Sequence, residues 1–296
     1  MVAPDLLAEG FEKNRPRLRA VAYRMLGSLA EADDAVQEAW LRLSRADASE
    51  VDNLAGWLTT IVARVCLNML RSRKARREDP MGAHVPDPIL SPSDGTTPED
   101  EVLLADSVGL ALQVVLDTLA PAERLAFVLH DMFDLPFDEI GRIVGRSPAT
   151  ARQLASRARR RVRGVDVRTP DPDLGRRREV VDAFFAAARN GDLEALVAVL
   201  DPDVVLRADG GTAYPHATAL VHGAREIAGR AMAFDQPSPA LRPALVNGLT
   251  GVLVTVEEQP FAIMAFNVSG GKIVEVYVLA DPDRLPQLNL AAVGQS

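Results

Sequence analysis

The chain holds one cysteine among 296 residues, so it can form no internal disulfide and suits a reducing compartment. That cysteine, Cys66, sits between apolar neighbours (Val65, Leu67, Met69) and reads as packing. There are only four histidines (His84, His130, His216, His222), with no paired metal-ligand spacing, so no metal is expected. No apolar run reaches the roughly 18 residues that span a bilayer, so no membrane partner is expected. Met1–Gly10 lacks a basic patch followed by an apolar core, which argues against a secretory signal and for a cytoplasmic protein. No phosphate loop or nucleophile elbow occurs, so neither a cofactor nor a catalytic residue is expected.

What is present is unevenly charged. The net charge is −8, but residues 1–164 carry 22 of the 33 Lys and Arg against 24 of the 41 Asp and Glu, and are close to neutral. Residues 165–296 carry the other 11 and 17 and are acidic. The arginines of the first half are bunched, and local positive potential, not a basic total, is what a DNA-binding surface requires. Length and a hydrophobic content of 48% suit two or three folded units.

Residues 5–78 show helical periodicity over Phe11–Leu26, Glu31–Leu43 and Leu54–Leu70, with Gly27-Ser28 as a break and Asp52 or Asn53 as a cap. Residues 79–98, with five prolines, read as a flexible linker. Residues 99–164 are helical again, and 165–175 form a second linker. Beyond lie helices near Arg177–Asn190, Leu193–Leu200 and Ala224–Ala233. The predicted strands are Val204–Ala208, Leu241–Val246, Gly251–Glu257, Phe261–Val268 and, after a Gly270-Gly271 turn, Ile273–Leu279. This order makes residues 176–290 an α+β unit behind two all-α units.

Phe137–Leu154 encodes a helix-turn-helix. Ile140, Ile143 and Val144 form an apolar face, Gly145 can end the helix in the left-handed region, Ser147 can cap the next, and Pro148 suits its first position. The second helix presents Ser147, Thr150, Arg152, Gln153, Ser156, Arg157, Arg159 and Arg160. Arginine and glutamine near its start can reach base edges in the major groove, and later arginines suit phosphates.

In the first unit, Asp33, Asp34, Gln37 and Glu38 line the polar face of one helix, beside Leu41. The next helix ends in Arg71, Arg73, Lys74, Arg76 and Arg77, and places Thr60, Arg64 and Asn68 on one face. Such a face suits a melting DNA segment, on which Trp57 could stack, although burial is the commoner fate of tryptophan.

Together these stretches resemble the extracytoplasmic-function group of sigma-70-type RNA polymerase sigma factors. Ala32–Leu43 with Gly56–Arg64 is similar to sigma domain 2. Leu119–Phe133 with the helix-turn-helix is similar to sigma domain 4, and domain 3 is missing. The resemblance implies core RNA polymerase as partner, with Asp33, Asp34, Gln37, Glu38 and Leu41 against the β′ clamp helices and domain 4 against the β flap. It implies promoter DNA as the second partner. Trp57, Arg64, Asn68, Arg71, Arg73, Lys74, Arg76 and Arg77 would lie near the minus-ten element, and the second helix of the helix-turn-helix would read the minus-thirty-five element. Asn68 departs from the family's usual acidic residue there. A linker of about 20 residues reaches about 65 Å at most, enough to join the two readers.

Residues 176–290 resemble the SnoaL-like, nuclear-transport-factor-like cone carried by SigJ-like and SigI-like sigma factors, where it tunes activity within the chain. Those relatives show Asp-Gly-Gly-Gly-Lys, Asn-Pro-Asp-Lys-Leu and Trp-Leu-Pro-Glu-Pro-like segments. Here Asp209-Gly210-Gly211-Thr212, Asp281-Pro282-Asp283-Arg284-Leu285 and His84-Val85-Pro86-Asp87-Pro88 stand in those places. The partial match implies an intramolecular regulatory contact between the linker and the C-terminal extension, in a chain that is monomeric when free. The alternative is that the first is a turn and the second a chain exit. Other readings of the cone are a small-ligand sensor lined by strands such as Phe261–Phe266, or an enzyme using Asp209, Tyr214, His216, His222 or Asp235. An ordinary DNA-binding regulator is a further alternative, but it needs no acidic and basic helix pair at its N-terminus.

Overall fold

The computed structural model describes residues 4–45, 53–76, 83–93, 109–165, 168–233, 239–290 and 293. The chain divides into two compact units, Met1–Asp79 with Ala111–Asp166, and Pro80–Leu110 with Val167–Ser296.

The first unit is helical. Helices α1 (Pro4–Leu26), α2 (Leu29–Leu43) and α3 (Leu54–Arg76) form a bundle. Its core joins Leu18, Val21, Met25 and Leu26 of α1 to Val36, Ala39 and Leu43 of α2 and Leu58, Val62 and Leu67 of α3, all buried. Gly27, with φ +72, turns the chain, and Ser28 caps α2 by accepting the Glu31 amide at 3.4 Å. Asn53 caps α3 through the Gly56 amide; Asp52, the other expected cap, lies outside the described residues.

Helices α4 (Gly109–Asp117) and α5 (Pro121–Phe127) follow, then a π-helical turn, Val128–Met132, that hydrophobic periodicity does not reveal. The last carbonyls of α1, which have no partner inside their own helix, are met by side chains. Gln113 Nε2 donates to the Tyr23 and Arg24 oxygens, Arg124 Nε to that of Arg24, and Arg73 Nη1 to that of Leu26. Arg124 is itself paired with Asp117. Cys66 is buried on α3, and burial pushes its thiol up to about 12, opposed by the charge of Arg124. A thiol held that far above neutrality is inert packing.

The helix-turn-helix consists of α6 (Phe137–Val144) and α7 (Pro148–Gly164). Gly145 is left-handed, Ser147 caps α7 through the Thr150 amide at 3.2 Å, and Pro148 is its first residue, as the turn residues predict. At Gly141 a Cβ would sit 2.8 Å from the Arg146 carbonyl oxygen, so the close turn needs glycine.

The second unit is α+β. Strands β1 (Leu90–Pro92), β2 (Leu200–Asp209), β3 (Ala219–His222), β4 (Ala240–Val246), β5 (Leu249–Val256), β6 (Gln259–Ser269) and β7 (Lys272–Leu279) form one sheet in the order β1-β4-β5-β6-β7-β2-β3. All neighbours are antiparallel except β2 and β7. Helices α8 (Leu174–Asn190), α9 (Leu193–Val199) and α10 (Ala224–Met232) cover one face, packing Val181, Phe184, Leu196 and Ile227 on Phe266, Val268, Ile273 and Val276. Asn247-Gly248 and Gly270-Gly271, all with positive φ, make the β4–β5 and β6–β7 turns. Edge strand β3 falls where the sequence carries no strand signal.

Composition predicts a flexible linker over 79–98. Within it Ala83–Ser93 is packed and partly β, and the rest of it (79–82, 94–98) lies outside the described residues. Leu90 pairs with Val246 and Pro92 with Ala244, while Asn247 receives the Ile89 amide on its side chain at 2.9 Å and returns its own amide to the Ile89 carbonyl at 2.8 Å. Val85 and Pro88 lie on the sheet surface formed by Val246, Ile263, Ala265, Tyr277 and Leu279, the face that α8–α10 leave open. Proline and serine are usual at an edge strand, because Pro cannot donate into a ladder, so the composition that suggests a loop also permits this strand.

Candidate polymerase, promoter and linker interfaces

On α2 the buried Ala32, Ala35, Val36, Ala39 and Leu43 fix which face looks outward. Asp34, Gln37 and Leu41, spaced three and four apart, are exposed along one stripe, and Leu41 is 39% exposed. Asp33 is exposed but held by Arg19 at 2.6 Å, and Glu38 by Arg42 at 2.8 Å.

On α3 the same logic exposes Arg64, Asn68 and Arg71 on one stripe, with Thr60 and Trp57 half-buried at its start. Arg73 is not part of that stripe. Its guanidinium is paired with Glu31 and donates to the Leu26 carbonyl, so it ties α3 to the end of α1. A carboxylate one helix away, invisible in the local charge pattern, pairs with it. Lys74 and Arg76 lie in the last turns of α3; Arg77 is outside the described residues.

On α7, Ala151, Ala155 and Ala158 are buried, which leaves Arg152, Gln153, Ser156, Arg157 and Arg160 exposed. Among the described residues the side chains of Gln153, Ser156, Arg157 and Arg160 make no hydrogen bond or ion pair within the chain. Ser147 and Thr150 share a hydroxyl contact of 3.0 Å in the cap. The guanidinium of Arg152 lies over the Phe137 ring at 5.3 Å. Arg159, expected on DNA, is half-buried and bonded to Asp131 of the π-helical turn at 2.5 Å.

In the second unit a polar cluster joins three distant segments. Asp209, at the end of β2, is 5% exposed. Its Oδ2 accepts from His84 Nδ1 at 3.0 Å, the Val85 amide at 3.1 Å and Arg284 Nη1 at 2.9 Å. Burial alone would raise the Asp209 pKa. The His84 and Val85 hydrogen bonds, with the charges of His84 and Arg284, outweigh it and hold the carboxyl well below its usual range. Arg284 also grips Asp87 through Nε at 2.9 Å and the Val85 carbonyl through Nη2 at 2.7 Å. Asp281 organises the turn beneath, accepting the Asp283 amide on its side chain and the Arg284 and Leu285 amides on its carbonyl. Gly211, at φ +61, lies so close that a Cβ would collide with the Asp281 carboxylate, and Gly210 abuts the Tyr214 backbone. Pro282 is exposed in the same turn and Leu285 is buried below it. The sequence marks Asp209, Gly210, Gly211, Asp281–Leu285 and the segment His84–Pro88; which atoms of His84 and Asp87 meet Asp209 and Arg284 appears only in three dimensions.

The residues considered for catalysis do not converge. Asp209 is occupied as described, Tyr214 is 42% exposed with its ring 6.1 Å from that of His216, His222 is exposed on β3, and Asp235 lies outside the described residues. Phe261 and Met264 pack with Val252, Val254 and Phe185 in a small apolar cluster under α8. Among the described residues no helix is long and apolar enough to cross a membrane, and no group of three acidic, His or Cys side chains is placed to hold a metal ion.

Two family models match these units: Sigma-70 region 2 over residues 11–76 and Sigma-70, region 4 over residues 109–162. Region 2 followed by region 4 marks the chain as a sigma factor. The chain is 39% identical over 287 residues to the ECF RNA polymerase sigma factor SigJ of Mycobacterium tuberculosis, covering 93% of this chain and 91% of that one. It is 35% identical over 294 residues to the probable sigma factor SigI of the same species, covering 98% of both. The crystal structure of M. tuberculosis SigJ superposes with a TM-score of 0.72 at 35% identity, covering 96% of this chain and 99% of that one. The protein belongs to the extracytoplasmic-function RNA polymerase sigma factors, and its function is promoter-specific initiation of transcription.

Proposed function

We propose that the three exposed stripes divide the work of initiation. Asp34, Gln37 and Leu41, with Asp33 and Glu38 beside them, meet the β′ clamp helices of core RNA polymerase, and the region-4 helices meet the β flap. Arg64, Asn68 and Arg71, with Trp57, Lys74, Arg76 and Arg77 nearby, act at the minus-ten element. Arg152, Gln153, Ser156, Arg157 and Arg160 act at the minus-thirty-five element, with Ser147 and Thr150 at the helix start. The observation that carries this division is that each stripe stays exposed while the apolar positions between its members are buried.

The α+β domain acts here as a regulator and not as an enzyme. Asp209, Gly210, Gly211 and Asp281–Leu285 hold the segment His84–Pro92, so freeing or fixing that segment changes how regions 2 and 4 engage DNA. The free chain is a cytoplasmic monomer.

Run-off transcription with purified core enzyme tests the reading. Asp34→Ala is expected to weaken core binding and Arg152→Ala to weaken promoter choice, each by roughly 1–3 kcal/mol, the range for a charged or bidentate interfacial contact. The full chain failing to initiate with core enzyme at any promoter from a randomised library, while still binding DNA alone, would leave an ordinary regulator instead.

A further inference from the structure

We infer that Phe137 is a positioning residue for Arg152, braced by His130. The inference rests on the reading above that Arg152 acts at the minus-thirty-five element.

Phe137 opens α6 but does not serve its core, which is made by Ile140, Ile143 and Val144. It is half-exposed, and its ring is shared by two neighbours. One is the His130 imidazole, at 3.9 Å between centroids and 33° between planes. The other is the Arg152 guanidinium, at 5.3 Å. His130 is in turn fixed, because its Nδ1–H donates to the Leu135 carbonyl at 2.9 Å. The chain of contacts runs from a backbone carbonyl through two rings to the guanidinium at the start of the second helix.

The π-helical turn Val128–Met132 makes this possible. Its wider winding presents two successive side chains, His130 and Asp131, to the helix-turn-helix. His130 acts on Arg152 through Phe137, and Asp131 binds Arg159 directly at 2.5 Å. Arg152 and Arg159 are seven residues apart and share one flank of α7. Both arginines of that flank are held, whereas among the described residues the neighbouring side chains of Gln153, Ser156, Arg157 and Arg160 make no hydrogen bond or ion pair within the chain.

An arginine side chain loses much rotational freedom when it binds, and one already seated over a ring loses less. Such a cation–π contact leaves N–H donors of the guanidinium open for a bidentate contact with a base. Arg152 is exposed despite the ring contact, so the contact orders it without hiding it.

The test uses the full chain with core RNA polymerase and a promoter library randomised at the minus-thirty-five region. Phe137→Leu keeps an apolar side chain and removes the aromatic face. It is expected to lower transcription from the selected promoter about two- to five-fold. It should also flatten base preference at the same positions as Arg152→Ala, and cause no further loss when combined with it. Phe137→Tyr, which keeps the face, should restore both. Arg152→Lys, which keeps the charge but not the planar group, should flatten the same base preference with Phe137 intact, a readout that does not depend on how Phe137→Leu folds. A Phe137→Leu chain with wild-type preference and yield, beside an altered Arg152→Ala chain, overturns the positioning role alone. Losses that simply add in the double variant do the same. An Arg152→Ala chain with unchanged preference overturns the minus-thirty-five reading and the positioning role together.

Discussion

Arg284 and Asp209 meet at 2.9 Å, and between them they hold three atoms of the segment that precedes β1: the His84 ring, the Val85 amide and the Val85 carbonyl. Asp87 closes the cluster on the far side of the guanidinium. The carboxylates of Asp209 and Asp87 are 6% and 7% exposed, so removing Arg284 leaves two buried carboxylates without the cation they share. Arg284→Ala should therefore destabilise the second unit by about 3–5 kcal/mol, the cost of breaking a buried pair from one side. Hydrogen exchange read by mass spectrometry should show faster exchange at Val85 and Ile89. Unchanged exchange there would mean the β1 pairing alone holds the segment.

The same cluster sets a pH dependence. The Asp209 carboxyl is held below its ordinary value of 3.8, so its contribution is full above that value and is lost as pH falls through the still lower value of the folded state. From neutrality down to about pH 4, Asp209 stays ionised and the attachment of His84–Asp87 should not weaken through it. Below that range, stability should fall more steeply in the wild type than in Asp209→Asn, which cannot lose that charge. Thermal melts of the two chains at a series of acidic pH values check this.

Gly211 and Gly191 separate crowding from backbone strain. Both have positive φ, +61 and +67, so alanine at either must adopt a left-handed conformation costing about 1–2 kcal/mol. Nothing lies within 4 Å of a Cβ built at Gly191, but at Gly211 the Cβ meets the Asp281 carboxylate. Gly211→Ala should lower Tm distinctly more than Gly191→Ala and should also speed exchange at Val85. Equal shifts would mean that Asp281 moves aside freely.

How much of this was legible in sequence follows from how local each interaction is. Gly145, Ser147 and Pro148 act within one turn, so the helix-turn-helix could be read directly. Apolar spacing likewise predicts α2 and the exposed stripe on it. The π-helical turn leaves no periodic signal, since one widened turn changes no residue type. Runs of arginine show charge but not partners, so the contacts of Arg73 and Arg159 are not legible in sequence; Glu31 lies 42 residues from Arg73 and Asp131 lies 28 from Arg159. Composition alone does not show the pairing of Ala83–Ser93 for the same reason, although the resemblance implies a contact between this segment and the C-terminal domain. Its fixing groups, Asn247, Asp209 and Arg284, are 124 to 199 residues away in the chain. Family resemblance marked Asp209 and Arg284 but could not show that His84 and Asp87 are their partners.

Two arginines two residues apart on α3 should behave differently. Arg71 is exposed on the stripe with Arg64 and Asn68, whereas Arg73 joins α3 to Glu31 and to the last carbonyl of α1. Arg73→Ala removes a charge-assisted link and strips the Leu26 carbonyl of that donor, which should cost about 1–3 kcal/mol of stability. Arg71→Ala touches no such link and should change stability by no more than about 0.5 kcal/mol. Its effect should fall on DNA: with core polymerase present, promoter opening followed by the fluorescence of a base analogue in the minus-ten element should slow, and the salt dependence of binding should flatten because one phosphate-facing charge is gone. Calorimetry and the opening assay on the same two proteins give opposite orders of severity if the assignment holds. The assignment fails if Arg71→Ala is the variant that melts early or if Arg73→Ala opens promoters poorly while melting like the wild type.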